Sequence, residues 1–310
     1  MIERLRLAAQ SKVFSLLAAA YLGAAVPPAA APAAGGPELS ISFRARALTA
    51  GEPVRVVVEA PMPLSRLEAR WLDQDVFMVR EPVMLPSEAE RWTGWGLIPL
   101  DQRAGETLLE VEGIDLAGQL VRAALALAIV PKEFPIEHLS VASRYVEPPR
   151  EVAERLARER EQLRELYARR TPRTVSDQPF VRPVAGEATS VFGTRRFFND
   201  QPRSPHPGLD LRAATGTPVK ASGAGIVVLA GDLYYSGKTV LIDHGGGLFT
   251  IYAHLSAIEV EEGGEVEAGD RIALSGATGR VTGPHLHWGA KIGERPCDPR
   301  ALLDPAVFAD

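Results

Sequence analysis

The chain has 310 residues, a formal net charge of -5 and 46% hydrophobic residues, which suits two modest folded domains. No basic tract indicates nucleic-acid binding, and the weak acidic excess points to no particular partner. Because Cys297 is the single cysteine, an intrachain disulfide and a multi-thiolate metal site are excluded, and we interpret it as an ordinary packed or surface thiol.

The N-terminal residues have the three-part pattern of a secretory signal. Three basic residues within the first twelve precede an apolar run at 13–26, and small residues and prolines follow at 27–36. We therefore predict a signal peptide at 1–34 and a periplasmic or secreted protein without a further membrane span. The alternative is an uncleaved N-terminal membrane anchor, although the apolar run is short for a membrane span.

Short strand patterns follow one another from 38 to 131. Residues 39–43 alternate between polar and apolar side chains, and residues 54–59 are rich in β-branched residues. Further strand candidates lie at 95–100, 108–111 and 125–130. The pattern predicts an Ig-like β-sandwich as an accessory domain over 38–131. We interpret the tryptophans of this region as core residues rather than a ligand surface.

A breaker-rich segment at 131–135 opens a connector that we predict over 132–177. Prolines flank a helix predicted over 150–170, in which charged residues surround an apolar stripe. The stripe consists of Val152, Leu156, Leu163 and Tyr167. His138 is a lone histidine of this connector and is interpreted as structural.

Glycine-rich turns and short strands recur from 178 to 310 and predict a compact, mainly antiparallel β domain. Its strand candidates are 224–229, 240–243, 248–252, 271–274 and 286–290. The predicted fold class is therefore mainly β, with an N-terminal β-sandwich, a connecting helix and a C-terminal antiparallel β domain.

Three short segments of the C-terminal region contain four of the six histidines of the chain, with Asp210 close to His206. A strand would place His285 and His287 on one face, because alternate side chains point the same way. His206, Asp210 and one histidine of that pair could hold zinc, which leaves His254 and the other histidine as base and oxyanion stabiliser. Spacing alone does not decide which histidine of the pair binds metal.

These segments together resemble the lysostaphin-type, or LytM-like, zinc metallopeptidases of family M23, over roughly 190–299. The matching segments are Ser190-Val-Phe-Gly-Thr-Arg195, His206-Pro-Gly-Leu-Asp210, Gly216-Thr-Pro-Val219, Ile242-Asp-His-Gly245, Tyr252-Ala-His-Leu255 and Thr278-Gly-Arg-Val-Thr-Gly-Pro-His-Leu-His287. The resemblance implies a small β domain of the duplicated-hybrid-motif type with an open groove.

The resemblance also implies residue roles. His206, Asp210 and His287 would bind one Zn²⁺ per chain, and His254 and His285 would be the catalytic, non-ligand histidines. Residues that we expect to line the substrate groove are Arg195, Asn199 and Tyr234. His244 also falls in a matching segment, and we interpret it as structural at a strand end.

The function that the resemblance implies is a secreted zinc endopeptidase that cuts peptide cross-links of bacterial peptidoglycan, in a Gram-negative envelope on architectural grounds. Its substrate partner would be the peptide part of peptidoglycan, and the N-terminal β domain could recruit an envelope regulator. The alternative is a non-catalytic activator of cell-wall amidases or a peptidoglycan-binding scaffold. The complete ligand set favours the enzyme, because a degenerate member would lack one of the three ligands.

Overall fold

The computed structural model describes residues 38–82, 89–139, 149–173 and 177–308, so the signal peptide predicted at 1–34 lies outside the described residues. Across those ranges the chain is mainly β, with largely antiparallel sheets and one α-helix between two β regions. This architecture confirms the predicted fold class. No helix in the described ranges is long and apolar enough to cross a membrane.

The first β region is a sandwich of two four-stranded sheets. Its strands are β1 (Ser40–Arg44), β2 (Pro53–Ala60), β3 (Leu64–Trp71), β4 (Gln74–Val76), β5 (Met78–Arg80), β6 (Glu90–Leu97), β7 (Gly105–Asp115) and β8 (Leu120–Ile129). The sheet orders are β1-β2-β6-β5 and β4-β3-β7-β8. Val54, Val56 and Val58 of β2 share one buried core with Leu109 and Val111 of β7. The period-two alternation of apolar residues therefore joins the two sheets face to face.

The connector contains strand β9 (Ile136–Leu139) and helix α1 (Ala153–Tyr167), which is shorter than the predicted 150–170. A 3₁₀ turn at Arg150–Val152 replaces the first predicted helical turn. The cause is Pro149, whose φ of -56° and ψ of 147° are those of an extended residue. The chain therefore leaves this extended conformation through a 3₁₀ turn, and the regular α-helix begins after it. Such end effects commonly shift a helix boundary by a residue or two.

Helix α1 packs against the second β region through its C-terminal turn. Leu166 and Tyr167 are its buried residues, and they share a cluster with Leu229, Leu241 and Phe249. The rings of Tyr167 and Phe249 meet edge to face, with centroids 5.4 Å apart. The helix therefore buries one end of its apolar stripe on that sheet, while most of its charged residues stay exposed.

The second β region is built around one large sheet. Its strands are β10 (Ala188–Ser190), β11 (Arg195–Phe198), β12 (Gln201–Pro202), β13 (Gly208–Leu211), β14 (Pro218–Lys220), β15 (Gly225–Leu233), β16 (Gly237–Gly245), β17 (Leu248–Ile258), β18 (Glu265–Val266), β19 (Arg271–Ser275), β20 (Leu286–Ile292) and β21 (Arg295–Cys297). The main sheet order is β10-β13-β20-β17-β16-β15-β18, while β9, β11 and β12 form a separate small sheet. Strand β20 thus lies between β13 and β17.

The two β regions share a buried apolar cluster. Trp95 and Leu97 of β6 lie in it together with Phe308 and Cys297, and the Trp95 and Phe308 rings meet with centroids 5.9 Å apart. Burial raises the pKa of the Cys297 thiol, which suits the packed thiol expected from the sequence. Trp71 and Trp95 are 2% and 1% exposed, as expected for core tryptophans.

A buried ion-pair network joins the same two regions. The Asp298 carboxylate accepts hydrogen bonds from Arg46 Nη2 at 2.9 Å and Arg300 Nη2 at 2.7 Å. Glu52 Oε1 accepts from the same Arg46 nitrogen at 2.6 Å and from Lys132 Nζ at 2.9 Å. Burial alone would raise the pKa of Asp298, but Arg300 and Arg46 hold it below its usual value. Asp298 is therefore charged, and both acids are paired with basic side chains at the junction.

Removal of the Asp298 charge tests this junction. We expect Asp298→Asn to lower the free energy of unfolding by about 3 kcal/mol, since breaking a buried pair leaves its partners uncompensated. Urea denaturation at pH 7, followed by tryptophan fluorescence, measures the change. The matched control is Asp304→Asn, because Asp304 accepts the Ala306 N–H at 3.0 Å and asparagine caps equally well. An Asp298→Asn protein as stable as that control would contradict the argument.

His244, near the end of β16, belongs to a buried chain of hydrogen bonds. Its Nε2 lies 2.7 Å from Thr250 Oγ1, which lies 3.0 Å from the Tyr252 hydroxyl oxygen. That oxygen accepts the Ser222 N–H at 2.7 Å. His244 Nδ1 lies 2.7 Å from the Ala224 carbonyl oxygen, which can only accept, so Nδ1 carries the proton. Burial lowers the pKa of His244 to about 4, so its ring is neutral at pH 7.

This buried neutral ring predicts acid destabilisation. The pKa of His244 is about 4 when folded against an ordinary 6.5, so the unfolded chain takes up its proton first as the pH falls. Stability should therefore decline below about pH 6.5 and level off below about pH 4, by roughly 3 kcal/mol in all. Urea midpoints measured across that window should fall less steeply for His244→Asn, which keeps a donor towards Ala224. Equal slopes would show that this ring does not set the pH dependence.

Candidate metal centre

The register between β13 and β20 brings the predicted metal ligands together. Asp210 and His287 are direct cross-strand partners, and His206 lies two residues before β13 begins. Pro207 and Gly208 turn the chain from His206 into the strand, as their composition indicates. The His206 side chain is buried, whereas Asp210 and His287 are 14% and 13% exposed. The three side chains therefore converge at the rim of the core.

Three donor atoms form a compact triangle. His206 Nε2 lies 3.0 Å from Asp210 Oδ1 and 3.2 Å from His287 Nδ1, and the latter two atoms are 2.8 Å apart. Two imidazole nitrogens and one carboxylate oxygen are a donor set that zinc prefers. Four-coordinate zinc with bonds of about 2.0–2.2 Å separates its ligand atoms by about 3.3 Å, so this triangle needs little adjustment. The residues thus fit the ion that the resemblance implies.

Hydrogen bonds orient the ligand candidates. His206 Nδ1 lies 3.1 Å from the Val191 carbonyl oxygen, so it carries the proton and leaves the Nε2 lone pair facing the triangle. Burial lowers the pKa of His206, which keeps the ring neutral at pH 7. Burial alone would raise the pKa of Asp210, but its close contacts with His206 and His287 hold it far below its usual value. The carboxylate is therefore charged, and both it and the lone pair of His206 Nε2 are available to a cation.

A glycine makes room for the His287 ring. A Cβ added at Gly208 would lie 2.8 Å from His287 Cε1 and 2.6 Å from the Trp288 carbonyl oxygen. Gly208 also stands directly opposite Gly289 in the strand pair. The glycine of the His206–Asp210 motif is therefore a steric requirement of the triangle, because any larger side chain would push the ring away.

The other two predicted histidines lie beside the triangle. The His254 ring centroid is 4.9 Å from that of His285 and 6.0 Å from that of His287. His285 Nε2 lies 3.7 Å from Asp210 Oδ1. The structure thus places His254 and His285 at the edge of the triangle, with neither ring inside it.

Backbone carbonyls fix the proton positions of these two rings. His254 Nδ1 and His285 Nδ1 each lie 2.9 Å from a carbonyl oxygen, of Thr278 and Gly283 respectively. Each Nδ1 therefore carries a proton, and each Nε2 is left to accept one. Burial lowers the pKa of His254 to about 4. Both rings are arranged for proton transfer at their Nε2 atoms.

The backbone at His254 is strained. Its φ of 63° is left-handed, which a residue with a Cβ rarely adopts, and its N–H donates to the Ser236 carbonyl at 2.8 Å. The turn that holds Ser236 packs tightly on the loop before β20, where a Cβ on Gly237 would lie 2.4 Å from Thr278. These two contacts keep the backbone of His254 in its left-handed conformation, which directs the ring towards the triangle.

The predicted groove residues lie at the start of β11, directly after β11 and directly after β15. Arg195 is exposed and its backbone N–H donates to the Pro135 carbonyl at 2.8 Å. Asn199 lies in the exposed turn after β11 with a φ of 50°. The backbone N–H of Tyr234 donates to the Glu159 carboxylate of helix α1 at 2.9 Å. These observations concern the backbone, so the placement of the three side chains in the substrate groove stays a prediction.

Sequence reasoning missed two residues near the site. Tyr235 is exposed, and the guanidinium carbon of Arg280 lies 4.3 Å from its ring centroid, on the loop that leads to His285. Arg196 Nη2 lies 3.2 Å from Asp210 Oδ2. Alternation along β11 places Arg196 and the predicted groove residue Arg195 on opposite faces of the strand.

Comparison with known proteins places the C-terminal region in a family. Residues 204–299 match peptidase family M23. Over 109 residues the chain is 47% identical to the peptidoglycan DD-endopeptidase ShyA of Vibrio cholerae. This aligned segment covers 35% of this chain and 25% of that protein. Over 100 residues the chain is 44% identical to the DD-carboxypeptidase/endopeptidase Mpg of Neisseria meningitidis. That aligned segment covers 32% of this chain and 23% of that protein. The matched segment spans about a quarter of the length of these relatives.

A solved structure extends the likeness beyond that region. The crystal structure of a Pseudomonas aeruginosa protein assigned to peptidase M23 has a TM-score of 0.59 and 29% identity, covering 83% of this chain and 95% of that chain. Coverage of that extent includes strands from both β regions. Together with the match of residues 204–299, these findings show that the chain contains a peptidase M23 domain at those residues.

Proposed function

We propose that this protein is a secreted, zinc-dependent endopeptidase that hydrolyses peptide cross-links of bacterial peptidoglycan in the Gram-negative envelope. The observation that carries the proposal is the triangle of donor atoms, 2.8 to 3.2 Å apart, with two further histidines at its edge. The M23 domain and the names of the relatives ShyA and Mpg support peptidoglycan as the substrate.

His206, Asp210 and His287 would hold one zinc ion per chain. When bound, zinc polarises a carbonyl group and lowers the pKa of water, which suits hydrolysis of an amide. The three residues supply three ligands, the number that catalytic zinc sites use while keeping a position open. Because all three are present and in mutual contact, the arrangement supports an enzyme over the amidase-activator alternative.

His254 and His285 would carry the proton transfers. Each ring donates its Nδ1–H to a backbone carbonyl, so each Nε2 can accept a proton from the attacking water. The ring that takes this proton can return it to the leaving amine. The other ring, after it takes up a proton from solvent at Nε2, can donate a hydrogen bond to the oxygen of the scissile carbonyl. The two rings sit side by side, and their geometry alone leaves open which takes which role.

The substrate class follows from the relatives rather than from the groove. ShyA is named a peptidoglycan DD-endopeptidase and Mpg a DD-carboxypeptidase/endopeptidase, names that denote bonds between D-amino acids. We therefore infer a D-amino-acid cross-link as the bond cut here. Export to the periplasm, guided by the N-terminal signal predicted from the sequence, would bring the enzyme to this substrate.

The proposal is tested on purified peptidoglycan, with released fragments identified by mass spectrometry. We expect the protein to convert cross-linked dimers to monomers, and chelator treatment or His206→Ala to abolish both zinc content and cleavage. His285→Ala should keep zinc but slow cleavage by about 10²- to 10⁴-fold, the usual share of a general acid–base group.

His138→Ala is the matched control, because His138 is exposed and stacks on Phe197 away from the triangle. It should bind zinc and cleave as the unaltered protein does. Bound zinc without any fragment release would contradict the peptidoglycan substrate. Fragment release that survives both the chelator and His206→Ala would contradict the zinc mechanism.

A further inference from the structure

The Asp210 carboxylate is held at both of its oxygens. Oδ1 belongs to the donor triangle, whereas Oδ2 accepts a hydrogen bond from Arg196 Nη2 at 3.2 Å. A carboxylate whose second oxygen is occupied by a guanidinium cannot readily rotate to offer both oxygens to a cation. The contact therefore bears on how Asp210 would bind metal, although Arg196 lies outside the triangle.

The same guanidinium nitrogen supports a second ligand candidate. Arg196 Nη2 donates to Ser190 Oγ at 2.8 Å, and Ser190 Oγ lies 3.3 Å from His206 Nδ1. His206 Nδ1 is the ring atom opposite the one that faces the triangle. One arginine thus contacts Asp210 directly and His206 through a serine. Partners of this kind fix the orientation of metal ligands and their basicity.

The arginine is in turn oriented by the connector. Arg196 Nε donates to Glu137 Oε2 at 3.2 Å, and the two residues are direct partners where β9 and β11 pair in parallel. The backbone N–H of Arg195 donates to the Pro135 carbonyl at 2.8 Å, which continues the pairing. Strand β9 follows the sandwich in the chain, so a segment from outside the second β region reaches the site.

These contacts differ from those of an ordinary surface ion pair. The side chains of Arg196, Asp210 and Glu137 are 21%, 14% and 37% exposed, so the arginine is largely enclosed between two carboxylates. Exposed pairs contribute little to stability because water screens them. A half-buried guanidinium that makes three hydrogen bonds in one plane is more firmly placed.

We propose that Arg196 is a positioning residue that fixes the Asp210 carboxylate for metal binding, and that Glu137 of the connector strand holds Arg196 in place. The inference rests on the proposed zinc function of the same triangle. It extends the metal centre to three residues, Glu137, Ser190 and Arg196, that precede the family match at 204–299. The connector is then part of the catalytic unit rather than a tether.

The test measures zinc affinity of the full chain by competition with a chromophoric chelator. Arg196→Gln should bind zinc about 10- to 100-fold more weakly, the usual cost of losing such a partner. Arg196→Lys should recover part of that loss, because it keeps the charge but cannot make all three hydrogen bonds. Glu137→Gln should weaken binding roughly two- to fivefold, since its own pair is more exposed. The double variant Glu137→Gln/Arg196→Gln should match Arg196→Gln alone, because Glu137 acts through the arginine.

Replacement of zinc by Co²⁺ provides a measurement that should not change if Arg196 has only a structural role. The visible absorption of bound Co²⁺ reports coordination geometry, and it should change in Arg196→Gln while far-UV circular dichroism stays the same. The matched control is Glu112→Gln, which breaks the exposed pair with Arg122 on the sandwich, 2.7 Å long, and should change neither reading. If Arg196→Gln does not fold, Arg196→Lys and Glu137→Gln carry the comparison.

The outcomes separate this inference from the proposed function. Unchanged zinc affinity and cobalt spectra in both arginine variants, with normal peptidoglycan cleavage, would overturn the role of Arg196 alone. The variants could also bind zinc more weakly while the unaltered protein fails to cleave peptidoglycan. That result would support the positioning role of Arg196 and contradict peptidoglycan as the substrate. An unaltered protein without zinc affinity would overturn both.

Discussion

The pairing of β13 with β20 is the constraint on which the site depends. It sets Asp210 opposite His287 and Gly208 opposite Gly289, and so puts two donors side by side with free space beneath the ring. Because side chains alternate, Leu209 and Trp288 on the same strands point into the core and are almost fully buried. A slip of one residue would turn the donors inward and these apolar residues outward, so the core itself enforces the register.

The surroundings of this strand pair complete the arrangement. The left-handed backbone at His254 and the close approach of the turn holding Gly237 bring a second pair of histidines alongside. On the other side, β11 and β9 carry the arginine and glutamate that reach Asp210. The sandwich packs on the second β region through the apolar cluster around Trp95 and through the ion pair of Arg46 with Asp298. The donor triangle and its surroundings are thus built from elements far apart in the chain.

Local signals made the main elements and the convergence of histidines predictable. The alternation of His285 and His287, and the turn-forming Pro207-Gly208 between His206 and Asp210, are short-range features that the sequence displays directly. The choice of His287 over His285 as a ligand candidate came from the family resemblance. In the structure, His287 Nδ1 is the atom in the triangle and His285 Nε2 lies 3.7 Å from Asp210 Oδ1. The predicted helix is a few residues longer than α1. Residues in a 3₁₀ turn or bend at a helix end have much the same composition as residues in the helix, so the sequence does not separate them.

Long-range contacts were beyond the sequence. Nothing in Arg195-Arg196 shows which arginine faces the site, and the parallel pairing of β9 with β11 joins segments more than fifty residues apart. The hydrogen bond from the Tyr234 backbone N–H to Glu159, on a helix distant in sequence, is another such contact. Such pairings depend on how whole elements pack, which a single sequence does not reveal.

The most direct measurement of the central claim is an anomalous-difference map at the zinc absorption edge, from crystals of the zinc-loaded protein. We expect one strong peak per chain, in contact with His206 Nε2, Asp210 Oδ1 and His287 Nδ1, with His254 and His285 beside it but not bonded to it. A peak held by His285 in place of His287, or no peak between these three residues, would contradict it.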